Sequence, residues 1–92
     1  MAWLLTTDEA VINLDWVIVV GIQNCDVVVQ ISEQSQLTAI YKGKDRELTK
    51  SVFAVLCQEI ASSRLADVSC MISLQAVIDD AKNRMRKVEH GH

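Results

Sequence analysis

The chain opens on short apolar runs separated by polar turns, and near Lys42 it changes to apolar positions spaced three and four residues apart. Ala2 to Thr6 reads as a first strand, Thr7-Asp8-Glu9 as a polar turn, and Ala10 to Leu14 as a second apolar segment that Asp15 breaks. Trp16 to Ile22 and Asp26 to Ser32 read as two strands of a hairpin, with Asn24 suited to the left-handed backbone of a tight turn. Ser32 to Gln36 is a polar turn, and Leu37 to Lys42 is a fifth strand. Connections this short favour an antiparallel meander.

Beyond Lys42 the period becomes helical. Gly43 allows a turn, Asp45 can cap a helix, and Glu47 complements the positive end of its dipole. Leu48, Val52, Val55, Leu56 and Ile60 then fall on one stripe. Residues 66–73 read as either a connection or a short strand, because Val68, Cys70 and Ile72 alternate with Ser69, Met71 and Ser73, while Ser69 or Ser73 could cap a helix. Leu74, Val77, Ile78, Ala81, Met85 and Val88 form the last stripe, with Lys82, Arg84, Arg86 and Lys87 crowding its C-terminal turns. The pattern predicts a single α+β domain over 1–92: an antiparallel meander of about five strands (2–42), followed by helices over about 45–63 and 73–88 packed on one sheet face.

The totals narrow the class. Half of the 92 residues are hydrophobic and proline is absent, which excludes a disordered or low-complexity chain. A domain of this size removes only roughly 60 to 65% of its unfolded surface from water, so its core is small. No apolar run approaches the ~20 residues of a membrane span, and no basic segment leads into a signal-peptide core, so the expectation is a cytoplasmic protein. Cys25, Cys57 and Cys70 are odd in number and widely spaced, as suits thiols packed as small hydrophobes in a reducing compartment.

The hairpin is apolar on both faces, and each face needs cover. Trp16, Ile18, Val20 and Ile22 share the face assigned to the core. The reverse, with Val17, Val19, Val28 and Ile40 diluted by Gly21 and Gln30, is the expected interface with a second subunit, helped by Trp3.

Charge is divided along the chain. The net charge of -3 hides a first part, to Tyr41, with five acids and no base, and a second part with nine bases and seven acids. Lys42, Lys44, Arg46, Lys50, Lys82, Arg84, Arg86 and Lys87 could form a basic surface for nucleic acid or an acidic partner. Against nucleic acid, no aromatic residue lies among the C-terminal bases to stack a base, and helical spacing spreads them over more than one side. Solubility and dipole complementarity account for them.

Catalytic signatures are missing. His90 and His92 are the only histidines and sit at the end of the sequence, far from any thiol or hydroxyl they might activate. Lys42-Gly43-Lys44-Asp45-Arg46 lacks the glycine spacing and Lys-Ser/Thr pair of a phosphate loop. Asp79 and Asp80 are adjacent, so a helix turns them about a third of a circle apart. No zinc spacing, calcium loop or dinucleotide fingerprint occurs, and no cofactor or metal is expected.

The segment Trp3-Leu-Leu-Thr-Thr-Asp-Glu-Ala-Val-Ile-Asn-Leu-Asp15 resembles the start of small bacterial proteins of uncharacterised function, in which Trp, Thr and Ile-Asn-Leu recur ahead of a meander and a helix. The glycine often found in their first turn is replaced here by Glu9 or Ala10. The resemblance implies a sheet-plus-helix fold and a bacterial origin, and carries no activity with it.

Together these readings lead to the expectation of a non-enzymatic α+β domain that forms a homo-oligomer or engages a partner protein. The alternatives are a small-molecule-binding module with an apolar pocket under the sheet, and a binder of nucleic acid or an acidic partner through the basic C-terminal part.

Overall fold

The computed structural model describes residues 2–31, 36–66 and 70–90, with backbone alone at 66 and 87–90. Among the described residues six strands and two helices follow one another as β1 (Ala2–Leu5), β2 (Val11–Asn13), β3 (Val19–Gln23), β4 (Asp26–Gln30), β5 (Thr38–Lys42), α1 (Arg46–Ala66), β6 (Cys70–Ser73) and α2 (Leu74–His90). The α+β class holds, but the strands form two three-stranded sheets instead of one five-stranded meander. One sheet has the order β2-β1-β6 and the other β3-β4-β5. All pairings are antiparallel except β1 with β6, which is parallel and joins the beginning of the chain to the segment between the helices.

A capped turn separates the two sheets. The Asn13 side chain accepts a hydrogen bond from the Asp15 amide at 3.0 Å, and Leu14–Trp16 coils into one turn of 3-10 helix. This turn consumes the residues assigned above to the start of a long strand, so the strand begins only at Val19. The alternation of Trp16 and Ile18 with Val20 is thereby broken: Trp16 is 66% exposed and Ile18 53%, and neither belongs to the core. Val20 does pack on the core, opposite Val29, on the face that it shares with Ile22 and Val27.

A second irregularity moves Ile40. The register between β4 and β5 shifts at Val27/Val28, so that Ala39 lies opposite Val28 and Tyr41 opposite Val27. An extra residue in one strand changes which face its neighbours take. Ile40 is buried in the core, so the outer face to which simple alternation assigned it does not hold it.

The core is one cluster that unites both sheets with both helices. Leu4 and Ile72 come from the first sheet and Val27 and Val29 from the second; Val52, Val55 and Leu56 come from α1, and Leu74, Val77, Ile78 and Ala81 from α2. Helix α1 touches β1 and β6 as well as β3 and β4, and so serves as a wall common to the two sheets.

Local capping explains where the helices start. Asp45 Oδ1 accepts from the Glu47 amide at 3.0 Å, and Ser73 Oγ accepts from the Ala76 amide at 3.3 Å. Ser73 therefore ends a strand and caps a helix at once, which resolves the ambiguity of the 66–73 segment over its described part. The start of α1 is also tied to the hairpin. Buried Thr49 donates from Oγ1 to the Cys25 carbonyl at 2.6 Å, and the same carbonyl accepts the Gly43 amide at 3.0 Å.

Among the described residues two other than glycine take positive φ, Glu9 at 66° and Asn24 at 58°. Asn24 is the expected left-handed residue of the hairpin. Glu9 occupies the first turn, which Thr6 closes by donating its amide to the Ala10 carbonyl at 2.8 Å. A left-handed residue bearing a Cβ costs about 1–2 kcal/mol, and glycine loses up to about 1 kcal/mol of that advantage through its freer unfolded state. Glu9→Gly should therefore raise stability by about 0.5–1 kcal/mol. Denaturant unfolding should show a later midpoint at unchanged slope; an earlier midpoint would refute the account.

Candidate functional site

The first sheet presents two unlike faces. Register and strand alternation place Ala2, Leu4, Ile12, Cys70 and Ile72 inward, and Trp3, Leu5, Val11, Asn13, Met71 and Ser73 outward. The inward set lies in or against the core. On the outer face Val11 is 50% exposed, Met71 56% and Leu5 36%, while Trp3 is half-buried. None of its six residues carries a charge. The outer face is thus uncharged, and it is accessible at Leu5, Val11 and Met71.

The sequence-predicted interface residues are distributed differently. Trp3 lies at the centre of this outer face, between Asn13 and Met71. Val19 is exposed, but on the second sheet. Val17 packs against the core, and Ile40 belongs to it. Val28 is buried on the face of β4 opposite Val27 and Val29. Leu5, Val11 and Met71 escaped sequence reasoning because β1, β2 and β6 are short, and a four-residue alternation does not say which parity faces out.

A second group of exposed apolar residues, Trp16, Ile18, Val19, Ile31 and Leu37, gathers at one end of the second sheet. The antiparallel order brings the start of β3, the end of β4 and the start of β5 together there, and the Ile18 amide donates to the Gln30 carbonyl at 2.9 Å.

Several of the basic residues are tied to near neighbours. Arg46 donates from Nη1 to the Asn24 carbonyl at 3.3 Å, Lys50 pairs with Glu47 at 3.5 Å, and Arg84 bridges Asp80 at 3.2 Å and Gln58 at 3.1 Å. Lys44 and Arg86 are exposed; the side chains of Lys87 and His90, and the whole of His92, lie outside what the structure describes. Lys42 and Lys82 come to one hollow, a groove of about 540 Å³ between β5, α2 and the first turn. Thr7, Asp8, Tyr41 and Gln75 border it with them, over Ile40 and Ile78.

Among the described residues no group of His, Cys, Asp or Glu is arranged to hold a metal ion, and no helix is long and apolar enough to cross a membrane. The three cysteines are free and half-buried. Burial pushes the Cys57 thiol above its ordinary value of 9.0. Tyr41 is raised above 10.0, first by burial and then by the negative charge of Asp45 and of Cys25 when ionised. These upward shifts oppose the formation of a nucleophile.

The same shifts set an alkaline limit. The unfolded chain gives up these protons first, so the stability that they carry is intact below pH 9.0 to 10.0 and declines as pH rises through the folded-state values. Tyr41→Phe should flatten the fall in unfolding free energy above pH 10.0. An equally steep fall in that variant would exclude Tyr41 as its source.

Comparison of the chain with protein-family models, with curated proteins and with solved structures finds no match. The functional reading therefore starts from the surfaces themselves.

Proposed function

We propose that the protein is a non-enzymatic interaction domain that pairs with a second copy of itself through the outer face of β2-β1-β6. The observation that supports this reading is the uncharged apolar face of Trp3, Leu5, Val11 and Met71. A two-fold contact opposes each residue of a patch to the same patch, so it tolerates no concentrated charge. It also covers each side chain twice. At roughly 1 kcal/mol for each half-exposed side chain, eight of them outweigh an association cost of at least ~4 kcal/mol by enough for a millimolar dimer. Pairing through this face alone is weak, and rim contacts would tighten it.

Sedimentation equilibrium up to about 1 mM protein tests the reading. The expected result is mass rising toward the dimer in the parent and a tenfold or greater loss of association in Met71→Lys, with the monomer's thermal unfolding little changed. A parent that stays monomeric, or a Met71→Lys variant that associates as well as the parent, overturns it. If Ile18→Lys disperses the dimer and Met71→Lys does not, the contact lies at the end of the second sheet.

A second reading, a small-molecule-binding module, is favoured by the groove of about 540 Å³, whose size falls in the range of ligand sites. Lys42 and Lys82 over an apolar floor would suit a small carboxylate with an apolar body. Hexanoate and hexanol titrations followed by amide NMR test it: shifts at Tyr41 and Lys82 with hexanoate alone support the reading, and no shift with either removes it.

A further inference from the structure

Strand β6 lies at the edge of its sheet. β1 occupies one of its sides, and among the described residues no strand pairs with the other. A groove of about 490 Å³ is lined by Cys70, Met71, Ile72 and Ser73 in succession, together with residues of α1 and α2. Successive strand residues point to opposite faces, so a hollow that touches all four runs along the edge of β6 and does not lie under one face. Val55 and Val77 contribute apolar surface from the two helices.

An open strand edge offers backbone amides and carbonyls to another extended chain, and hollows beside it receive the side chains of that chain. Charge selects what enters. Among the described residues the groove is bordered by two carboxylates, Glu59 of α1 and Asp80 of α2, and by no basic residue. Asp80 already pairs with Arg84 at 3.2 Å, whereas the Glu59 carboxylate forms no ion pair or hydrogen bond with a described residue. We infer that the β6 edge accepts an extended segment of a partner protein, added as a fourth strand, with a lysine or arginine directed at Glu59. A second copy of the chain suits this edge poorly, because two β6 strands meeting about a two-fold axis would bring both Glu59-Asp80 sets to one seam. The groove shares Met71 and Ser73 with the self-pairing face proposed above, but Glu59 of α1 is not part of that face, so substitutions at Glu59 test the edge apart from the self-pairing.

Selection of a displayed random-peptide library on the full chain, followed by amide NMR with the synthetic form of a selected peptide, tests the inference. The expected peptides carry a lysine or arginine within a run of β-branched residues. Binding should shift the Cys70–Ser73 amides and slow hydrogen exchange on β6, as a side chain merely resting in the groove would not. Glu59→Gln and Glu59→Lys should weaken binding progressively, the latter tenfold or more. Glu59 is exposed, so both variants should keep the parent's unfolding temperature and its sedimentation behaviour. Failure to select any peptide, selection of peptides without a base, shifts located elsewhere, or binding indifferent to Glu59→Lys would each overturn the proposal.

Discussion

Leu56→Ala should destabilise the protein by about 2–5 kcal/mol and weaken both sheets in one transition. Leu56 is wholly buried in the middle of α1 and belongs to the cluster that holds Leu4 and Ile72 of one sheet with Val27 and Val29 of the other. Removing its branched end leaves a cavity at a wall shared by two layers, where neither can collapse without pulling on the other. Hydrogen exchange checks the coupling: the amides of β1 and β4 should lose protection together. If β4 loses protection while β1 keeps it, the sheets unfold as separate units and α1 does not join them.

The second large effect is expected at Gly43. A Cβ placed there would stand 2.7 Å from Thr49 Oγ1, 2.8 Å from the Cys25 carbonyl oxygen and 2.8 Å from Tyr41 Cε2. Its φ is not positive, so the backbone itself would accept alanine, and the obstacle is space. The carbonyl belongs to the hairpin turn, and Thr49 is held by that same carbonyl, so neither can retreat without breaking the 2.6 Å hydrogen bond. Gly43→Ala should cost about 1–3 kcal/mol. Thr49→Val separates the two contributions, since it removes the hydroxyl and nearly keeps the volume; its cost should be about 0.5–1.5 kcal/mol, from a partly buried carbonyl left with one partner fewer. An alanine at Gly43 that unfolds like the parent would show that the junction between hairpin and helix yields.

These sites show how the two levels of description divide. The stripe Val52, Val55, Leu56 is legible because helical spacing is a property of neighbouring residues, and it is buried as expected. Asp45 and Asn24 are legible for the same reason: a cap or a tight turn is a contact within three residues, whereas Ser73 is one of two caps, with Ser69, that the spacing leaves open. The outer-face residues Leu5, Val11 and Met71 are not, because their exposure depends on which parity of three short strands meets the helices.

Sequence alone determined the α+β class, the two helical stripes, the Asp45 cap of the first, the left-handed turn at Asn24 and the absence of a familiar catalytic motif. The tertiary structure decided the rest. Asn13 folds back on Asp15 and turns Trp16 and Ile18 out of the strand, the shifted register between β4 and β5 turns Ile40 inward, and β6 crosses to lie parallel to β1. The physical reason is range. Helix periodicity and capping follow from energies between near neighbours, whereas the partner of a four-residue strand is chosen by packing against residues at the other end of the chain, and a change of one residue in register exchanges its buried and exposed faces.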